Sequence, residues 1–227
     1  FTNYFCSTHS YGASMTQGLF DLRDCDANGR IGHFTVPRSN VVVETPALLP
    51  VINPKLQTIS PSTLASKFDV QILITNSYII HQNTNLHAEA IEKGLHKLLD
   101  FPGAIMTDSG SFQLAEYGNV DVTTSEIIHF QDAIGSDIAT PLDIPTPPDA
   151  PYDLAQIDLE TTFERLELSK SLVNGDMLIS APIQGSTHLD LREQSAIDAY
   201  ALGLDVFPIG AAVPLLTQYR FKDVVDI

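Results

Sequence analysis

The feature that most limits what this chain can become is a rhythm. Short apolar runs, each followed by a longer amphipathic stretch, repeat along most of it. The runs Val70–Thr75, Ala104–Thr107, Asp137–Thr140, Met177–Ala181 and Val206–Ile209 do not alternate between polar and apolar residues. Strands of that kind are buried on both faces, as in a parallel sheet covered by helices. Between them Asn85–Leu99, Thr124–Ile134, Leu154–Val173 and Leu189–Leu202 read as helices. Thr124 with Ile127, Ile128 and Phe130 fits a capped helix with one apolar side, and Ala196, Ala199, Tyr200 and Leu202 do the same for the last one. Strand starts recur about every 30–40 residues, the length of one βα unit. The fold class is therefore α/β, either a doubly wound sheet or a (β/α)8 TIM-type barrel. No Gly-rich turn follows an early strand in the dinucleotide-binding manner, which weakens the first option.

Ahead of this rhythm the pattern is that of β hairpins. Leu19–Leu22, a polar turn ending in Asn28-Gly29, and Arg30–Val36 carry a hairpin signature, and Pro37–Asn40 turns the chain into Val41–Val43. Met15 directly precedes the first patterned segment, so residues 1–14 read as an extension and 15–227 as one domain. The start has neither the basic residues nor the apolar stretch of a secretory signal, and no apolar run is long enough for a bilayer. Cys6 and Cys25 are too few for a disulfide framework, and no Cys/His pair has metal-ligand spacing. A cytoplasmic location fits this cysteine usage.

Charge constrains partners. Twenty-eight acidic residues against twelve basic ones give a net charge of −16. Phosphate contacts need Lys and Arg, so the balance alone points away from nucleic acid. An acidic surface also keeps a protein hydrated and soluble at high salt, where charge repulsion is screened. In a longer protein, the phosphate-binding surface can lie in another part.

Polar groups follow each of four expected strands: Asp108-Ser109-Gly110-Ser111-Phe112-Gln113, Pro141-Leu142-Asp143-Ile144-Pro145, Pro182-Ile183-Gln184-Gly185-Ser186 and Gly210-Ala211-Ala212-Val213-Pro214. In a parallel barrel these loops emerge at one rim, where active sites are built. Each has a plain explanation taken singly. Asp108-Ser109 suits a helix cap, Asp143 between prolines suits a turn, Gln184-Gly185 suits a strand-to-helix turn, and Gly210-Ala211-Ala212 suits close helix packing. Their convergence on one mouth favours a site.

Met106-Thr107-Asp108-Ser109-Gly110-Ser111-Phe112-Gln113 is similar to the motif of the tRNA-guanine transglycosylases, and Ser111 with Leu114-Ala115-Glu116-Tyr117 resembles the archaeal branch. Glu44–Pro50, Ile74–Ile80, Asp143–Asp149, Ala181–Ser186 and Phe207–Ala211 also resemble that family, in order, from about Phe20 onwards. The resemblance implies a (β/α)8 barrel with a zinc-binding subdomain and RNA-binding domains of the PUA type. It implies exchange of guanine at position 15 of the tRNA D-arm for 7-cyano-7-deazaguanine (preQ0), on the way to archaeosine. Such a reaction needs one carboxylate to attack the ribose C1′ and another to shuttle protons between departing and incoming bases.

On this resemblance Asp108 is the family's motif Asp, as nucleophile or general acid/base. Proton transfer is favoured, because the family carries a later Asp suited to attack. Asp143 is implied to accept from guanine N1–H and the exocyclic amine, and Gln184 to donate to the base O6. Gly210 and Ala211 match the segment whose backbone N–H groups face the base, Phe112 the aromatic that stacks on it, and Ser109 a neighbouring polar contact. Up to Ile227 there is no counterpart of the later nucleophilic Asp, the Cys-x-Cys-x-x-Cys and His zinc ligands or the PUA domains. An incomplete barrel is thus expected, from a fragment, a truncation or one half of a split enzyme. The expected partners are tRNA, guanine or preQ0, and a second copy in a homodimer or a complementary C-terminal half. Zinc is expected of the family, with its ligands outside this chain. A non-catalytic partner subunit that binds base or tRNA, and a small-molecule barrel enzyme, are the competing readings.

Overall fold

The computed structural model describes residues 18–27, 29–111 and 122–227. Residues 1–14, the turn residue Asn28 and the expected stacking residue Phe112 lie outside the described residues. The chain opens with a three-stranded antiparallel sheet, β1 (Phe20–Asp26), β2 (Gly29–Val36) and β3 (Val41–Thr45). An α/β unit with a five-stranded parallel sheet follows, in the order β4 (Val51–Ile52), β5 (Ile72–Asn76), β6 (Ala104–Asp108), β7 (Ile138–Ala139) and β8 (Leu178–Ile179). Its helices are α1 (Pro61–Phe68), α2 (Ser77–Gln82), α3 (Thr84–Lys93), α4 (Leu95–Leu99), α5 (Thr124–Ala133), α6 (Tyr152–Leu172), α7 (Leu189–Ala201), α8 (Ala212–Thr217) and α9 (Phe221–Asp226). Among the described residues no helix is long and apolar enough to cross a membrane.

The sheet is open. Five parallel strands curve no further than β8, and the described residues form no closed barrel. The expected strand Val206–Ile209 is reduced to isolated parallel bridges, Ser180 with Val206 and Ile183 with Ile209. Pro208, between them, has no N–H to give a ladder, although its carbonyl accepts from Ile183 N–H. The expected helix Asn85–Leu99 is two helices. Gly94, at φ 81° and ψ 157°, breaks it, and the Leu95 N–H turns to the Ile134 carbonyl at the end of α5. The cap of α5 is Thr123, one residue before the expected Thr124, and with Glu126 it forms a capping box. Segments too short for a periodic signal, β4, α2, α8 and α9, escape the sequence reading. So does α1, which Ser60 caps ahead of Pro61.

Strand parity organises the core. Side chains alternate across a strand, so register sorts them into rows on either face of the sheet. On one face Ile72, Ala104, Met106, Ile138 and Leu178 pack with Val36 and Val43, so the small antiparallel sheet sits over the N-terminal ends of the strands. On the other face Leu73, Ile105 and Ala139 pack with Ile80, Leu95, Leu99, Ile127, Ile128 and Ile134 from the helices. Ile74, Met106, Ile138 and Leu178 are register partners. Two residues further along, the same face turns polar. Asn76 pairs with Asp108, and Ser180 donates to Thr140 at 2.8 Å.

Buried polar side chains lock this register. Gln131 of α5 is fully buried; its amide oxygen accepts from Thr107 (2.6 Å) and from Thr140 N–H (3.1 Å), and its N–H donates to the Thr140 carbonyl (3.1 Å). Arg38, in the turn between β2 and β3, donates to the Ser136 carbonyl at 2.9 Å and pairs with Asp132, tying the small sheet to α5. Asp137, at zero exposure, accepts from Ile105 N–H (2.7 Å) and from His96 Nε2 (3.0 Å). His96 Nδ1 faces the Phe101 carbonyl at 3.3 Å. With an acceptor on each ring nitrogen, the imidazolium is the form that fits.

The bond to Asp137 accordingly raises the His96 pKa above its ordinary 6.5. A His held this way stabilises the fold fully below its unfolded value and loses that contribution as pH rises through the raised one. His96→Ala is expected to cost about 2 kcal/mol, because a buried carboxylate loses its cation. Thermal unfolding at pH 6 and pH 9 checks this. A wild-type to variant gap that does not shrink at the higher pH would sink the assignment.

Candidate functional site

The four loops that follow β6, β7, β8 and the bridged segment at 206–209 leave the sheet at its C-terminal end. Asp108 is the last residue of β6. Its Oδ2 accepts from Asn76 Nδ2 at 3.1 Å and its Oδ1 from Gly110 N–H at 3.3 Å. Asn76 cannot turn the other way round, since its own Oδ1 caps α2 by accepting from Ile79 N–H at 2.9 Å. Gly110, at φ 92°, brings the main chain against Tyr78, where a Cβ would lie 2.7 Å from Tyr78 Cβ. The loop needs glycine there.

Ser109 and Ser111 carry the connection onward. The Ser109 hydroxyl donates to the Pro141 carbonyl at 2.9 Å and lies 3.0 Å from Ser111 Oγ. Ser111 Oγ in turn accepts from the Asp143 N–H at 3.0 Å. The loop around Asp143 is further pinned by α6. Thr162 accepts from Ile144 N–H, Asp158 from the Thr146 hydroxyl, and Arg165 donates to the Leu142 carbonyl. Asp143 is buried, and its Oδ2 accepts from Gln184 Nε2.

Both carboxyls are pushed up. Burial is the main cause at Asp108, and the negative charge of Asp143 adds to it against hydrogen bonds from Gly110, Ser109 and Asn76. Burial likewise raises Asp143, with hydrogen bonds from Ser111 and Gln184 pulling the other way. Each acid sits in a different setting within one shared field, an arrangement suited to proton transfer at one and hydrogen-bond acceptance at the other.

Gln184 stands between the loops. A carboxylate attracts only the N–H side of an amide, so the orientation is fixed by Asp143. That leaves Gln184 Oε1 buried with no partner among the described residues. The sequence reading casts Gln184 as a donor to a ligand oxygen. Here one of its N–H groups is engaged by Asp143, and the second N–H and the oxygen remain for whatever enters. Gly210 lies against this carboxamide, where a Cβ would fall 2.5 Å from Oε1 and 2.7 Å from Nε2. The Gly210 N–H, expected to face a ligand, donates to the Ile183 carbonyl at 3.0 Å. Ala211 adopts a left-handed conformation, φ 64°, at the start of α8. Thus Asp108, Ser109, Asp143, Gln184, Gly210 and Ala211 gather at one end of the sheet.

Three residues without an expected role belong to the same assembly. Asn76 and Ser111 lie inside segments that the sequence singles out, yet only their neighbours attract attention there. Arg192, whose guanidinium binds the Ile183, Ser186 and Gly210 carbonyls, carries no such mark; an Arg in the first turn of an amphipathic helix reads as a surface residue. A cavity of about 360 Å³ opens beside Asp108, lined by Asn53, Pro54, Thr75, Asn76 and Ile79. A larger one, about 620 Å³, lies near Leu48, Phe68 and Gln71 and touches none of the site residues. Among the described residues no group of three or more His, Cys, Asp or Glu side chains is placed to hold a metal ion.

Comparison with known proteins gives a consistent picture. The family model described as queuine tRNA-ribosyltransferase matches residues 24–227. Proteins described as tRNA-guanine(15) transglycosylase from Haloarcula marismortui and Haloferax volcanii are each 59% identical, over 92% and 91% of this chain. One from Pyrococcus furiosus is 50% identical over 96% of it. The matches cover 42%, 40% and 36% of those relatives, so the chain spans about two fifths of their length.

The raised carboxyl of Asp143 has a consequence for stability. A carboxyl whose folded pKa is raised contributes fully only below its ordinary value, 3.8, and that contribution is lost as pH rises through the raised one. Asp143→Asn keeps the shape, removes the buried charge and offers an N–H to the orphaned Gln184 oxygen. The variant is expected to be more stable than the wild type at pH 7 by about 1 kcal/mol or more. The difference should close as pH falls towards 4. Melting curves of both proteins across that range decide it, and a gap independent of pH would refute the buried-charge account.

Proposed function

Because this chain belongs to the queuine tRNA-ribosyltransferase family, we propose that it forms the base-recognition and proton-transfer part of a tRNA-guanine(15) transglycosylase. The reaction replaces guanine at position 15 of the tRNA D-arm by preQ0, towards archaeosine. The observation that carries this reading is the presence of two carboxyls, half-buried Asp108 and buried Asp143, in loops tied together through Ser109 and Ser111 at the C-terminal end of one parallel sheet.

Each residue then has a task. The target nucleotide leaves its stack so that guanine can enter, and Asp143 accepts from its N1–H and exocyclic amine. The carboxamide of Gln184, freed from Asp143 by those donors, turns an N–H to the base O6. Gly210 leaves room for this movement, since any side chain there would meet the Gln184 amide. Ala211 N–H lines the same edge, and Phe112 supplies the stacking face. As the C1′–N9 bond breaks, its electron pair goes to guanine, which takes a proton from Asp108. The incoming base returns that proton to Asp108 when its own nitrogen bonds to C1′. A burial-raised carboxyl suits both directions, because it holds a proton more readily than an ordinary Asp.

The carboxylate that attacks C1′ is assigned to the family's later Asp, in the length of the relatives that this chain does not span. Exposed apolar residues at both margins of the open sheet, Val51 at 82% and Ile209 at 62%, are the surface that barrel closure by further strands would cover. Zinc has no ligand set among the described residues, and no step here passes through it. The net charge of −16 fits a protein working in a salty cytoplasm, with tRNA phosphates met by the remaining length of the protein or by a second copy.

The test is base exchange by the complete protein, followed as guanine release from cognate tRNA. Asp108→Asn should lower turnover by about 10²-fold or more at unchanged tRNA affinity. In the wild type, guanine departure needs the protonated acid, so its rate falls as pH rises through the raised Asp108 pKa. An Asp108→Ala protein with normal turnover would overturn the role.

A further inference from the structure

Arg192, in the first turn of α7, is the only Lys or Arg side chain among the described residues that is buried, at 3% exposure. No Asp or Glu side chain pairs with it among the described residues. Its guanidinium partners in the loops are main-chain carbonyls: Nη1 donates to Ser186 at 3.2 Å, and Nη2 to Ile183 at 3.2 Å and to Gly210 at 3.1 Å. A buried cation with no acidic side chain beside it is costly, and burial lowers its pKa accordingly. Leu191, Ser195 and Ala199 share the buried side of α7 with it, and none of them reaches the loop carbonyls that the guanidinium binds. The charge is spent on the loops.

The geometry shows what the guanidinium controls. The loop after β8 rests directly on the Arg192 stem. A Cβ at Gly185, which sits at φ 127°, would lie 2.9 Å from Arg192 N and 3.1 Å from its Cγ. The Ile183 carbonyl takes the Gly210 N–H as well as Arg192 Nη2, so the two loops meet on one planar fork. Gln184 follows Ile183, and Ala211 follows Gly210. The fork therefore sets the distance between the carboxamide and the Ala211 peptide. A charge-assisted bond to the Gly210 carbonyl also polarises the Gly210–Ala211 peptide, which makes the Ala211 N–H a stronger donor.

We propose that Arg192 is a positioning residue for base recognition, holding the Ile183–Ser186 and Gly210 main chains at the spacing in which Gln184 and the Ala211 N–H engage one edge of the base. This rests on the base-exchange reading above. It assigns Arg192 to base affinity and leaves proton transfer to Asp108.

The experiment measures incorporation of labelled guanine into cognate tRNA by the complete protein, with melting temperatures alongside. Arg192→Ala should raise the KM for guanine about tenfold or more while kcat changes by less than about threefold. Millimolar guanidinium should restore the KM of that variant and leave the wild type unaffected. Arg192→Lys keeps the charge without the planar fork, so the KM defect should persist in part. If Arg192→Ala fails to fold, the KM of Arg192→Lys decides. A folded variant whose KM stays within about twofold of wild type, or a joint loss of KM and kcat that guanidinium does not repair, overturns the assignment. Wild-type protein that incorporates no guanine at all would instead bring down the base-exchange reading beneath it.

Discussion

The two-residue period of the parallel strands, fixed in register by Gln131 and Asp137, is the constraint on which the site depends. Side chains of one parity face the helices, and those of the other face the small β1–β3 sheet. Ile74, Met106, Ile138 and Leu178 form an apolar row, and one pleat further on the same face offers Asn76, Asp108, Thr140 and Ser180. A slip of one residue in β6 would send Asp108 to the helix side and bring Thr107 to its place. This explains why the fully buried polar groups sit where they do. Gln131 clamps Thr107 and Thr140, the residues at which neighbouring strands must agree. Asp137 holds the main chain of Ile105 from both sides, by its own N–H and by its carboxylate.

Above that row, the loops stabilise one another more than the strands stabilise them. Ser109 reaches the Pro141 carbonyl, Ser111 the Asp143 N–H, Ser186 the Pro147 carbonyl and His188 the Ala150 carbonyl. Short side chains spanning loop to loop give a fixed rim without a large apolar core beneath it. The unsatisfied Gln184 oxygen is where this network departs from full pairing, and at the two raised carboxyls burial works against the charge that their hydrogen bonds support. Polar groups left open in an otherwise paired network are where a ligand has most to offer.

How far the sequence reveals this follows from the kind of signal each residue gives. The α/β rhythm was readable because β5, β6 and the long helices α6 and α7 are lengthy enough to show a period. The positions of Asp108, Asp143, Gln184 and Gly210 at strand ends followed from that rhythm alone. By contrast, Gly94 in the middle of an apolar-periodic stretch gave no warning that the Leu95 N–H would find a better acceptor in Ile134. Pro208 marked its strand as weak, yet only the register showed that two bridges survive. The bond that the Gly210 N–H makes to the Ile183 carbonyl was not foreseen, because it joins residues 27 apart that no spacing rule relates. Arg192 was invisible for a deeper reason: burial of a cation depends on tertiary neighbours, and sequence composition reads every Arg on an amphipathic helix as solvated.

The placement of the small antiparallel sheet has a further consequence. Val36 and Val43 stopper the N-terminal end of the face on which Asp108 lies, with Ile72, Ala104 and Ile138 packed beneath them. Among the described residues, that end of the face is therefore floored by apolar side chains. On the base-exchange reading, neither a departing purine nor its replacement passes that end. Both would use the opposite, loop-bearing end in turn, so on that reading C1′ of the intact ribose ring would have to stay bonded to the attacking carboxylate through an interval when the seat is vacant.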